Sequence, residues 1–291
     1  MSTVSSQRPA AVVTGVSSGI GLAIAEDLLR RGYQVFGSVR HSADTQDLVT
    51  KWGESFVPLV FDITDTNALR RNAAQVEEIL GGRRLAALVN NAGIGINGPL
   101  IHQPMSEIRQ MFEINVFGTL EVTRAFFPLL SRRGAGQRPG RIVNISSASG
   151  RITAPFMGAY SASKHALEAL TQGLRHELKF YGIEASAVEP GFIRSRIFEK
   201  ELATKPLDRY GDTDIAAWWQ QFNRSAALAV SFAKSTDVVT RAVRHAIESK
   251  RPRTRYPLDM LCFVGRWFGD RVFDRLIFKL TGLDKLLREN V

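Results

Sequence analysis

The chain has 291 residues, of which 44% are hydrophobic and 23% charged, and its 38 Lys and Arg outnumber 28 Asp and Glu for a net charge of +10. That length suits one large domain or two small ones with a full apolar core, which excludes a disordered chain, a collagen and a coiled coil. A single cysteine, Cys262, excludes a disulfide framework and a multi-Cys zinc site.

Met1 to Pro9 lacks an apolar h-region, so no signal peptide is expected. The longest uncharged window, Leu85 to Ser106, contains Asn90, Asn91, Asn97 and Pro99 and reads as a buried strand plus loop rather than a membrane span. The basic balance leaves nucleic acid, an acidic partner, an anionic cofactor and a membrane surface open.

Short β-branched or apolar runs alternate with amphipathic stretches through the first two thirds. Ala10 to Thr14 reads as a strand, Gly19 to Arg31 as a helix closed by Gly32, and Tyr33 to Val39 as a second strand. Asp44 to Trp52 reads as a helix, Ser55 to Phe61 as a third strand, and Asp65 to Leu80 as a helix capped by Thr64 or Asp65 and ended by Gly81-Gly82. Leu85 to Val89, Gly140 to Ile145 and Ile183 to Val188 supply three more strands, separated by helices over Ser106 to Leu130 and Ala159 to Tyr181. Strict alternation implies parallel strands joined by right-handed crossovers, an α/β doubly wound sheet with helices on both faces. After Pro190-Gly191 the alternation stops. Phe192 to Phe232 is aromatic-rich and helical, Thr236 to Ser249 is an amphipathic helix, Arg253 to Tyr256 is a short strand, and Leu258 to Leu287 is one long amphipathic tail.

Three motifs carry chemistry. Gly15-Val16-Ser17-Ser18-Gly19-Ile20-Gly21 lies between the first strand and its helix, where backbone N–H groups and the helix dipole attract a phosphate. Gly15 permits the tight turn, Gly19 lets a pyrophosphate approach and Gly21 allows helix–sheet contact, although a structural glycine turn reads similarly. The second strand ends in Ser38-Val39-Arg40 with no carboxylate before Asp44. An acid there would hold the ribose 2′-hydroxyl of NAD(H), whereas Arg40, helped by Ser17, suits a 2′-phosphate; NADP(H) is therefore preferred, NAD(H) being the weaker alternative. Tyr160 and Lys164 are four apart and share a helical face, so the cation can favour a phenolate on an otherwise poor base. Ser147 lies at the carboxyl end of the fifth strand, where ligands of open α/β sheets bind.

Together with Asn90-Asn91-Ala92-Gly93, Asn115 and Pro190-Gly191, these residues occur in the order and spacing of the short-chain dehydrogenase/reductase family, which residues 8 to 195 resemble. The resemblance implies a Rossmann fold in which Tyr160 is the general acid/base, Ser147 orients the carbonyl, Lys164 bonds the nicotinamide ribose, and Asn115 holds a relay water. It also implies that Asp62 and Ile63 meet adenine, that Asn91, Ala92 and Gly93 support the ribose side, and that Pro190, Gly191, Ile193 and Ser195 face the nicotinamide. Ser195 stands where the family often has Thr.

Other candidates are bland. His102, His165 and His176 lack a second ligand at metal spacing, so no metal is expected. Cys262 reads as a small apolar residue, and Glu168 and Glu177 as solvated or interface residues. Residues 241–291 hold twelve Lys and Arg against six acids, so six of the ten net positive charges lie there. Their interleaved apolar residues, among them Trp267, Phe268, Phe273 and Ile277, either pack on the domain, a partner subunit or the substrate pocket, or lie on a membrane surface. Nucleic acid is not expected, because acids interrupt the basic residues and no recognition motif is present.

The reading is a single Rossmann-type domain over residues 8–257, with a helical substrate lid at 192–232 and an amphipathic basic extension at 258–291. Its expected activity is NADP(H)-dependent interconversion of a hydrophobic ketone or aldehyde and its alcohol, the lid aromatics Phe198, Trp218, Trp219 and Phe222 favouring a steroid, retinoid or lipid-like substrate. The long extension resembles the hydroxysteroid and retinol dehydrogenase branch. The alternatives are a 3-oxoacyl-carrier-protein reductase and a non-catalytic dinucleotide sensor. The family also implies a homo-oligomer, dimer or tetramer; the missing h-region points to the cytoplasm, and the tail pattern leaves a peripheral membrane contact open beside packing on the domain.

Overall fold

The computed structural model describes residues 8–131, 139–194, 209–259 and 269–289. Seven parallel strands form one sheet in the order β3-β2-β1-β4-β5-β6-β7. They are β1 (Ala10–Val13), β2 (Gln34–Val39), β3 (Phe56–Val60), β4 (Ala87–Asn90), β5 (Arg141–Ile145), β6 (Glu184–Glu189) and β7 (Arg255–Pro257). The crossovers are α1 (Gly19–Arg30), α2 (Gln46–Trp52), α3 (Thr66–Leu80), α4 (Met105–Phe112) leading into α5 (Thr119–Ser131), and α6 (Gly158–Glu177). The helices α7 (Ala216–Ser231) and α8 (Asp237–Glu248) precede β7, and α9 (Asp270–Thr281) and α10 (Leu283–Glu289) follow it.

Side-chain alternation along β1 divides the core between the two faces of the sheet. Ala11 and Val13 join Ile24, Leu28, Val239 and Val243 under α1 and α8, while Ala10 and Val12 join Leu69, Val76, Val122 and Phe126 under α3 and α5. Each fully buried aliphatic residue contributes roughly 1.5–3 kcal/mol. The direction of winding reverses between β1 and β4, which opens a crevice at the carboxyl edge of the sheet. The motif residues gather along that edge.

Asp65 is the N-cap of α3, accepting hydrogen bonds from the N–H groups of Asn67 and Ala68, and Gly81 closes the helix in the left-handed region. The helix expected over Ser106 to Leu130 is interrupted, because Glu113 to Gly118 form a π turn between α4 and α5. The physical cause is Asn115, whose buried amide pairs with Ile94 outside the helix.

The extension is two helices rather than one, broken at Gly282, whose φ is +69°. Phe273, Ile277 and Leu283 are buried, and α7 receives the end of α9: Ser225 Oγ and Gln221 Nε2 donate to the carbonyl of Thr281 at 2.6 and 3.2 Å. A helix-terminal carbonyl that would otherwise lack a partner is thereby satisfied. Ser195, Phe198, Cys262, Trp267 and Phe268 lie outside the described residues.

Candidate active site

The glycine-rich turn has the geometry of an anion cradle. Gly15 and Gly19 have φ of +72° and +61°, a region that other residues adopt at a cost. A Cβ on Gly21 would lie 2.1 Å from the carbonyl oxygen of Gly15 and 2.4 Å from Asn91 Nδ2, so α1 approaches the turn only because this residue lacks one. Asn91 fastens the turn, its Nδ2 donating to the carbonyls of Thr14 and Gly15. Thr14 Oγ1 in turn accepts from the N–H groups of Asn91 and Ala92. Ser18 occupies the N-cap of α1, yet its hydroxyl does not cap the helix. The first-turn N–H groups and the positive end of the dipole therefore face the crevice, as a phosphate group requires.

Arg40 is exposed at the end of β2, and its guanidinium lies close enough to Asp62 to lower that carboxyl's pKa. The larger cause of that lowering is the Thr64 hydroxyl, which donates to Asp62 Oδ1 at 2.6 Å. Arg40 and Asp62 thus stand together where an adenosine moiety would lie. The side chain of Ile63 is buried against Gly118, which leaves its backbone to face that position. These residues fit a dinucleotide carrying a 2′-phosphate.

The chemical groups stand at the other end of the crevice. Ser147, Tyr160 and Lys164 line one cavity of about 560 Å³, together with Ile20, Asn91, Gly93, Pro190, Gly191 and Ile193. Ser147 Oγ accepts from the N–H of Ser149 at 3.1 Å, which leaves its O–H proton for donation into the cavity. Lys164 Nζ donates to the carbonyl of Ile145 at 3.1 Å and lies 5.9 Å from the centre of the Tyr160 ring. Burial pushes the ammonium down to about 8, with the charge of Glu168 opposing the shift. Asn115 is wholly buried; its Oδ1 accepts from the Ile94 N–H, while its Nδ2 donates to the Ile94 carbonyl and to Ser163 Oγ. Ser163 Oγ donates to the carbonyl of Tyr160 at 2.7 Å, so the π turn braces the first turn of α6.

The opposite wall is apolar. It comes from Phe192, from Phe222, Ala226 and Leu228 of α7, and from Ile277 and Leu280 of α9. At the mouth Phe232 is 79%, Leu228 63% and Leu280 57% exposed. Trp219 and Phe222 are anchored beneath by Tyr210 and Phe156, and Trp218 is not part of that anchor.

Sequence reasoning missed several residues around this site. Glu168, read as solvated or at an interface, is buried, and its Oε2 accepts from Arg255 Nε at 2.9 Å; a strand far along the chain supplies the cation that its burial requires. Glu189 and Arg151 belong to the same cluster. Asn144 was unassigned, yet its Oδ1 accepts from Asn90 Nδ2 and its Nδ2 donates to Thr171, tying β4, β5 and α6 together. The only sequence signal was polar residues within otherwise apolar strands. His102, His165 and His176 are exposed and apart, and among the described residues no metal-binding cluster forms. No described helix is long and apolar enough to cross a membrane.

The short chain dehydrogenase family profile matches residues 9–206. An NADPH-dependent 3-dehydrocapnine reductase from Ornithobacterium rhinotracheale is 37% identical over 284 residues, covering 96% of this chain and 99% of that protein. Retinol dehydrogenase 16 from Mus musculus is 30% identical over 257 residues, covering 84% of this chain and 78% of that one. A short-chain dehydrogenase structure from Streptomyces avermitilis aligns with a TM-score of 0.76 at 29% identity, over 98% of this chain and 99% of that one.

Proposed function

The chain belongs to the short-chain dehydrogenase/reductase family, and on that premise we propose that it uses NADP(H) to interconvert a hydrophobic ketone or aldehyde and its alcohol. The observation that carries this reading is the shared cavity: Ser147, Tyr160 and Lys164 on one wall and an apolar surface opposite. Arg40 beside the adenosine position supports the phosphorylated cofactor, as does the NADPH dependence of the 3-dehydrocapnine reductase. The retinol dehydrogenases among the relatives support an apolar alcohol or carbonyl substrate.

The nicotinamide, when bound, supplies or accepts the hydride. Tyr160 gives its phenolic proton to the developing alkoxide during reduction and takes it back during oxidation. Ser147 donates a hydrogen bond to the same oxygen, a preorganised dipole that needs no reorientation as charge appears. Lys164 would hold the cofactor ribose and, while charged, favours the phenolate form of Tyr160. The two amide protons of Asn115 are taken by Ile94 and Ser163, so a relay water at this residue would have to be held by acceptors, not by those protons. Ser195 would extend the nicotinamide contact begun by Pro190, Gly191 and Ile193.

The exposed lip of Leu228, Phe232 and Leu280 suits a substrate delivered from an apolar phase. Beside it, Arg271, Arg275 and Lys279 recur every fourth residue on the outer side of α9, opposite buried Phe273 and Ile277. This face supports peripheral membrane contact. Co-sedimentation with anionic liposomes should fall when the three cations are replaced by Gln, and equal binding would refute the contact. Exposed Phe117 and Phe180 support a homo-oligomer, to be checked by sedimentation equilibrium.

The test of function is NADPH oxidation over a panel of steroid, retinoid and long-chain carbonyls alongside 3-oxoacyl thioesters. Turnover should follow the apolar carbonyls and fall by about 100- to 10,000-fold in Tyr160→Phe, with NADPH affinity unchanged. Turnover that survives this substitution overturns the mechanism, and selectivity for the thioesters overturns the substrate class.

A further inference from the structure

Behind Lys164 lies a cluster that the catalytic scheme does not use. Glu168 is one turn along α6 from Lys164 and 4% exposed; Glu189, the residue before Pro190-Gly191, is 2% exposed. Arg255 Nε reaches both acids, at 2.9 Å from Glu168 Oε2 and 3.4 Å from Glu189 Oε1. Arg151 Nε lies 3.3 Å from the same Glu189 oxygen. Arg151 ends the loop that carries Ser147, so the four side chains join that loop, α6, β6 and β7. The fit is close: a Cβ on Gly150 would lie 2.8 Å from Ser146 Oγ and 3.1 Å from Glu168 Cγ.

Two buried carboxylates so near one another repel unless a proton or a cation lies between them. Glu168 Oε1 accepts no hydrogen bond, and Glu189 Oε1 meets the two guanidinium groups only at ion-pair distance. Burial first, then the neighbouring Glu168 charge, pushes Glu189 up to about 7, against the pull of Arg151 and Arg255. Among the described residues, the charged and titratable groups around this region are Tyr160, Lys164 and Glu168 on α6, Arg151 on the Ser147 loop, Glu189 on β6 and Arg255 on β7, with Lys234 and Asp259 on the cavity lining beside Pro190-Gly191.

We propose that Glu168 and Glu189 are a buried, charge-coupled carboxyl pair, clamped by Arg151 and Arg255, whose negative charge keeps Lys164 protonated and whose bridges hold the Ser147 loop in register with the Pro190-Gly191 segment. Neither acid lines the cavity; both are positioning residues, acting through Lys164. The role rests on Lys164 being the cation that serves Tyr160, but its test does not.

The test is the titration of the Lys164 side chain, one of nine lysines, followed by NMR in protein labelled at lysine Cε and assigned by signal loss in Lys164→Arg. The wild-type signal should titrate near pH 8. In Glu168→Gln its midpoint should fall by about one pH unit, the effect of losing one nearby opposite charge. Glu189→Gln, isosteric with the protonated acid, should move it the same way by less, and Glu168→Asp should restore most of the wild-type value. If Glu168→Gln does not fold, Glu189→Gln and Glu168→Asp decide the matter. A Lys164 midpoint unmoved in the folded Gln variants overturns the proposal, whatever happens to their melting temperatures. Absence of carbonyl reductase activity would overturn the function proposed above and leave this titration intact. With a substrate in hand, the alkaline limb of kcat/KM should shift with the lysine, which a purely structural role would not cause.

Discussion

Replacing Lys164 by Met should stabilise the protein while abolishing its turnover, and the gain should disappear at high pH. Lys164 is 6% exposed and its ammonium is held at about 8 instead of 10.5. The native value lies below the unfolded one, so the unfolded chain binds more protons between these limits and stability rises with pH across that window. Below pH 8 both states are charged and the full cost of burial stands, about 3 kcal/mol from the separation of the two values. Met fills similar volume without the charge, but leaves the Ile145 carbonyl without its donor, which costs about 1 kcal/mol. The expected net gain at pH 7 is therefore about 2 kcal/mol, roughly 4 °C in melting temperature. By pH 10 the burial cost has shrunk to under about 1 kcal/mol, and the lost hydrogen bond cancels it. The assay is denaturant or thermal unfolding of both proteins at the two pH values without nucleotide, since bound cofactor would add stability of its own. A Met variant whose advantage is the same at pH 7 and pH 10, or absent at both, would refute the argument that Lys164 is held charged at a cost.

Arg40→Ala should weaken NADPH binding by roughly thirtyfold, the loss of about 2 kcal/mol from a charge-assisted bidentate contact, and leave NADH affinity nearly unchanged; fluorescence titration of each nucleotide measures the ratio. Gly21→Ala should lower stability by about 1–3 kcal/mol in chemical denaturation, because its Cβ would meet the Gly15 carbonyl oxygen, a backbone atom held by Asn91. Ile277→Phe should raise KM for the bulkiest carbonyls by about tenfold while sparing the smallest, because the tail helix supplies part of the cavity wall.

The alternation of strands and helices was legible because its signal is local: short, continuous apolar and β-branched runs, as strands buried on both faces require, beside amphipathic stretches of period 3.6. The same holds for Tyr160 and Lys164, whose spacing alone puts both on one helical face. What was not legible depends on partners distant in the chain. The π turn answers the pairing of Asn115 with Ile94, and no hydrophobic period announces it. Glu168 reads as a solvated acid until β7 folds Arg255 onto it, 87 residues later. The break in the tail is a different case. Thr281-Gly282-Leu283 carries the glycine that ends a helix, but the apolar pattern on both sides masked it.

The basic excess now divides by location rather than by sign. On the proposed function, Arg40 would meet the adenosine 2′-phosphate and Lys164 would serve the reacting groups. Arg151 and Arg255 are consumed by buried acids, and Arg31 bonds Glu248 to join α1 to α8. Lys164, Arg151 and Arg255 are thereby turned inward, away from any partner's surface. Arg271, Arg275 and Lys279 differ, because the 3.6-residue period turns them away from Phe273 and Ile277 and hence from the cavity wall. One helix therefore presents two faces whose proposed consequences are independent: the inner face would limit which substrate fits, the outer face which surface the enzyme meets. Independence follows from rigidity, since Thr281 is fastened to α7 through Ser225 and Gln221 and the faces cannot rotate into one another. Charge removal on the outer face should thus leave KM for a soluble carbonyl untouched, and enlarging Ile277 should leave liposome binding untouched.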